Sequence, residues 1–125
     1  YGMIQQAYTL AEELTISRVK DIITLEHQIL QKENDIKCRT FVSALLSLEE
    51  RKKDEYQNDN EKLKDLFNQL YDNQLISNLR KWYTELANDR NAINHAKKSN
   101  KDFKKQFEKN YSEIRKHLNY VRQPL

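Results

Sequence analysis

Nine consecutive residues, Asn88-Asp89-Arg90-Asn91-Ala92-Ile93-Asn94-His95-Ala96, bring a phosphate-binding cation and a proton-transfer group into one short stretch. A guanidinium offers paired N–H groups to a phosphate, and an unperturbed imidazole titrates near pH ~6.5. RNA carries its own nucleophile, the 2′-hydroxyl. Its cleavage therefore needs only a base for that hydroxyl, a cation for the charged phosphorane and an acid for the leaving 5′-oxygen, with no metal. Asn88 or Asp89 reads as an N-cap, which predicts a helix starting here with its positive dipole end and free N–H groups beside Arg90. At about 100° per residue, Asn91 and His95 share a face of that helix, and Arg90 must curl round its mouth to join them.

The chain has three His, so a histidine a few residues after an arginine carries little information by itself. An Arg-Asn pair with His four residues after the Asn arises by chance in roughly 2% of chains of this composition, so the asparagine carries the signal. Arg90-Asn91, three residues and His95 resemble the signature of HEPN domains, small helical bundles that include many prokaryotic endoribonucleases. The resemblance implies that Arg90 and His95 are catalytic, that Asn91 orients them, and that the substrate is single-stranded RNA. One imidazole cannot be neutral for attack and protonated for departure in one concerted step, so two copies of His95 make a more complete site. That points to a homodimer, and HEPN ribonucleases are known for such composite sites at a two-fold interface.

The motif lies in the last third of a short helical chain, as in the HEPN domains at the C-terminal end of CRISPR-associated ancillary ribonucleases, behind a nucleotide-sensing CARF domain. The chain opens at Tyr1-Gly2 without an initiator methionine. The expectation is therefore a C-terminal piece of a longer protein acting in CRISPR-linked antiviral defence, with a cyclic oligoadenylate as activator through the missing domain. Two other readings compete. HEPN toxins of toxin–antitoxin pairs typically add a Tyr two residues after the His, where this chain has Lys97. A catalytically inert helical binding module, with the motif as coincidence, is the third.

The charge is segregated. From Lys97 onward nine Lys or Arg face three acids, so a net charge of +3 for the whole chain leaves −3 for residues 1–96. A basic surface beside Arg90 and His95 would concentrate a polyanion there, and Lys97, Lys98 and Lys101 are the nearest candidates for RNA binding. His27 has no ligand-type cluster near it, and three His with one Cys give no zinc spacing, so neither metal nor cofactor is expected. His117 falls outside the motif spacing and reads as a surface residue. The lone Cys38 excludes an internal disulfide and sits in an apolar run, as a buried structural thiol would.

The scaffold that must position these groups is all-α. At 125 residues with one Gly and one Pro, the chain is one domain that lacks the residues that punctuate sheets. The expected fold is a HEPN-like bundle of about five or six helices. Ile4, Ala7, Tyr8, Ala11 and Leu14 form the first apolar stripe, with Gln5, Gln6, Glu12 and Glu13 off it. Val19, Ile22, Ile23, Ile29 and Leu30 either continue that helix or start a second one. Cys38, Phe41, Val42, Leu45 and Leu48 follow a cap at Asn34-Asp35, and the charged stretch 49–60 reads as a helix end and a loop. Leu63, Leu66, Phe67 and Leu70 make the next stripe, Asp72-Asn73 a break, and Leu75 to Leu86 a helix whose Trp82 and Tyr83 anchor it in the core. The last helix runs through Phe103, Phe107, Tyr111, Ile114, Leu118 and Val121, capped by Ser99 or Asn100. No run is long and apolar enough for a bilayer and no signal segment opens the chain, so a soluble, cytoplasmic protein is expected.

Overall fold

The computed structural model describes residues 2–49, 52, 56, 60–94 and 102–119. Six helices stand among them: α1 (Gly2–Glu26), α2 (Gln28–Gln31), α3 (Asp35–Ser47), α4 (Glu61–Tyr71), α5 (Gln74–Asn94) and α6 (Phe103–Asn119), with no strand in the described residues. The architecture is an all-α bundle. No described helix is long and apolar enough to cross a membrane.

Helix α5 is the hub, packed against α1, α3, α4 and α6. Its sequence explains why: Ile76 and Tyr83 recur seven residues apart, as do Leu79, Leu86 and Ile93, and all five are buried. Helix α1 packs on it and buries Tyr8, Ala11, Thr15, Val19 and Ile22, every third or fourth residue, so one face of α1 is buried along most of its length. Leu14, expected on that stripe, is 48% exposed instead. The buried face is rotated away from it because α3, α5 and α6 all pack on α1.

The first helix runs on unbroken to Glu26, so Val19, Ile22 and Ile23 continue it while Ile29 and Leu30 fall in the short α2. His27 then leaves the helical region, with φ −127° and ψ 103°, and the short α2 turns back. The Gln31 amide donates to the Thr24 carbonyl at 2.7 Å and Leu30 is buried. Asparagines start the next three helices. Asn34 accepts from the Lys37 N–H at 2.8 Å, Asn60 from Lys62 at 3.0 Å, and Asn73 from Leu75 at 2.9 Å, each quenching amide groups that the first turn leaves unpaired. The last helix is capped by Asp102, which accepts from the Lys105 N–H at 3.1 Å, whereas the expected Ser99 and Asn100 lie outside the described residues.

Two residues tie the far end together. Arg80 donates to the Leu45 carbonyl at 2.8 Å and the Tyr71 carbonyl at 2.9 Å, neutralising the C-terminal ends of α3 and α4 with one guanidinium that also lies over the Tyr71 ring. Tyr56 is buried in the charged stretch expected to be an exposed loop. Its ring stacks on Phe67 at 4.0 Å and meets Phe41 edge-on. Cys38 is buried as expected, its thiol 3.2 Å from the Leu30 carbonyl.

Leu79→Ala should remove a fully buried side chain from the hub, lowering stability in urea by about 2–5 kcal/mol. Leu25→Ala, on a side chain 79% exposed, should change it by less than about 0.5 kcal/mol. Equal losses in the two variants would mean that α5 is not the centre of the core.

Candidate functional site

The expected helix start at Asn88-Asp89 is overturned. These residues sit in the last two turns of α5, which runs without a break from Gln74 to Asn94. The apolar series through Leu86 and Ile93 keeps the chain helical across two good capping residues, because tertiary burial outweighs local preference. Arg90 therefore stands near a helix C-terminus. Its own helix offers no N-terminus beside it, so an anion at Arg90 would be held by side chains and not by free backbone N–H groups of α5.

Asp89 is 2% exposed, and its role is tertiary. The Tyr8 hydroxyl lies 3.2 Å from its Oδ2 and donates to the Phe103 carbonyl at 2.8 Å, sharing its proton between the end of α5 and the start of α6. Burial first, and then the Asp89 charge, hold the Tyr8 phenol well above its usual range. Tyr8 thus bridges the two helices that flank residues 95–101.

One turn along α1 from Tyr8, Glu12 meets Arg90. The guanidinium Nε stands 3.1 Å from Glu12 Oε2, with the arginine side chain 35% exposed and the glutamate 7%. The contact is an ion pair whose N–H is not aligned for a hydrogen bond, since both atoms are buried and neither has a hydrogen-bond partner among the described residues. By sequence pattern Glu12 falls off the buried stripe. Its burial follows from its angular position: four residues from Tyr8 and from Ile16, it shares the face that α5 covers.

Tyr83 closes the group. Burial and the nearby Glu12 charge push its phenol up to about 12, against the opposing pull of Arg90, so it stays neutral at physiological pH. Beyond it, a surface cleft between the end of α3 and α5 is lined by Tyr83, Ala87 and Asn88, with Ser47, Leu48 and Thr84. Arg90 lies on the same side of α5, seven residues after Tyr83, two turns along.

Of the residues proposed from sequence, Arg90 and Asn91 are described. Asn91 is exposed and rotated about 100° from Arg90, so its side chain faces solvent. His95, Lys97, Lys98 and Lys101 lie outside the described residues. Trp82 is half-buried, with the ring of the partly exposed His117 4.6 Å away. Asn110, the start of a glycosylation-type triplet, is 4% exposed and therefore inaccessible. Among the described residues no three His, Cys, Asp or Glu side chains group as a metal site. Comparison of the chain with protein-family models, with curated proteins and with solved structures gives no match.

Glu12 has a measurable signature. Burial raises its carboxyl above the ordinary value by more than Arg90 lowers it, so between those two values the folded state binds more protons than the unfolded chain. Its contribution to stability is full below the unfolded value and is lost as pH rises through the folded one. Urea denaturation of wild type and Glu12→Gln from pH ~4 to ~7 should therefore show the balance moving toward the variant as pH rises. A difference that is constant with pH, or that moves toward wild type, would contradict this assignment.

Proposed function

We propose that the chain is a metal-independent endoribonuclease acting on single-stranded RNA through Arg90 and His95. The observation that carries the reading is the state of Arg90. It is held by a buried carboxylate at its Nε and keeps about a third of its side chain in solvent. A guanidinium so placed, five residues before a histidine, can turn its terminal nitrogens to a phosphate while its Nε edge stays beside the carboxylate. His95 serves as the proton-transfer group, and Asn91, on the exposed side of α5, is available to orient substrate or imidazole.

The 2′-hydroxyl attacks the adjacent phosphorus as its proton leaves to a base. The 5′-oxygen departs with a proton from an acid, giving a 2′,3′-cyclic phosphate and a 5′-hydroxyl. One histidine per chain supplies one of these two roles, so the site is composite and the working unit a homodimer. Lys97, Lys98 and Lys101 add screened, sequence-independent attraction for the backbone. The motif's resemblance to CRISPR-associated HEPN domains makes antiviral defence in the cytoplasm the setting, with a cyclic oligoadenylate acting through a preceding domain.

The test is cleavage of a mixed-sequence RNA in the presence of EDTA. Wild type should cut. His95→Ala and Arg90→Ala should each lose about 100-fold or more, His95→Ala while unfolding at nearly the wild-type urea concentration and Arg90→Ala at a lower one, because it strands the buried Glu12 carboxylate. Loss of activity to EDTA with recovery on adding a divalent ion would overturn the mechanism, and undiminished cutting by the His95 variant would overturn the site.

A further inference from the structure

We propose that Glu12 is the internal counter-ion of Arg90, a carboxylate that fixes the guanidinium by its Nε edge and competes with the phosphodiester the terminal nitrogens bind. The proposal rests on the ribonucleotide-binding reading of Arg90, and it assigns Glu12 as a positioning residue, one that acts through the arginine and not on the substrate itself.

Three features of the contact support it. The carboxylate is the buried partner and the arginine the one-third-exposed one, so Glu12 is fixed by the packing of α1 on α5 while Arg90 keeps a path to solvent. The pair touches through one edge only: Nε faces Oε2 at 3.1 Å without an aligned hydrogen bond, leaving the pair weaker than a two-pronged bridge and open to a better acceptor. The helix that carries Glu12 is also held in register with the motif one turn away, where Tyr8 engages Asp89, the residue before Arg90. Two side chains four apart on α1 thus set the placement of two adjacent residues on α5.

Opposite consequences for binding and for turnover follow. Removing the charge at Glu12 leaves Arg90 without its counter-charge, so a phosphate should bind more tightly. The same change frees the guanidinium from its fixed orientation, so chemistry that depends on that orientation should slow. A residue with a merely structural role would weaken both together.

The experiment uses a 2′-O-methyl oligonucleotide, which binds but lacks the nucleophile, and an RNA of the same sequence. Wild type, Glu12→Gln, Arg90→Ala and the double variant are compared. Expected is a gain in affinity of roughly threefold or more in Glu12→Gln that vanishes when Arg90 is also removed, together with a fall of roughly tenfold in kcat on RNA. Glu12→Asp, which keeps the charge but withdraws it by one methylene, should lie between wild type and Glu12→Gln on both scales. It also carries the test should Glu12→Gln fail to fold. Unchanged or weaker binding, or a gain that persists without Arg90, would overturn the proposal. If the Arg90-dependent gain is seen but no variant cuts RNA, the counter-ion role stands and the ribonuclease reading falls. RNA cutting without the gain leaves the ribonuclease reading standing and removes the counter-ion role.

Discussion

Charges are rarely buried without partners, and the contact of α1 with the end of α5 is built around that constraint. Asp89 and Glu12 are both almost fully buried, and each is met by a group from the other helix: Asp89 by the Tyr8 hydroxyl, Glu12 by the Arg90 guanidinium. Neither carboxylate would be tolerated there alone. The register between the two helices is therefore fixed by polar matching as well as by the apolar seam, since sliding either helix by a turn would strand both carboxylates. Through its bond to the Phe103 carbonyl, Tyr8 extends the same constraint to the start of α6. Residues 95–101 thus run between two ends that one tyrosine holds.

That arrangement leaves one cation of α5 partly in solvent. Arg80 and Arg90 sit on the same helix and illustrate the contrast. Arg80 spends its N–H groups on the carbonyls that end α3 and α4, as a structural arginine does. Among the described residues, Arg90 makes a one-edged contact with Glu12 and keeps a third of its side chain in solvent. The difference between the two lies in what surrounds them: one closes helix ends and the other stands partly in solvent beside a buried carboxylate.

Much of the fold can be read from local pattern. Periodicity locates the apolar faces of α3, α4 and α6, Asn34-Asp35 marks a helix start and Asp72-Asn73 a break through preferences that depend only on neighbouring residues, and Cys38 takes its place in the core. What escapes is set by partners far away in the chain. Asp89 has the chemistry of a cap, yet its neighbours Leu86 and Ile93 are buried, so the helix continues through it and the side chain finds Tyr8. Glu12 reads as a solvent residue because nothing within a turn pairs with it. Tyr56 lies hidden in a charged run, and only Phe41 and Phe67 explain its burial. Of the candidate site, Arg90, Asn91 and His95 are visible as a sequence motif, but the carboxylate behind the arginine is not.

The nucleophile is the most exposed point of the chemistry, because everything assigned to Arg90 and His95 presumes that the attacking oxygen belongs to the RNA. The direct measurement is a set of RNA strands of one sequence, each with a single 2′-deoxynucleotide placed on the 5′ side of one cleaved bond, with products resolved to the nucleotide. The expected result is loss of cutting at the substituted bond alone, with neighbouring bonds cut at their former rates. Cutting that persists at the substituted bond would show that the nucleophile comes from elsewhere and would contradict the mechanism at its first step.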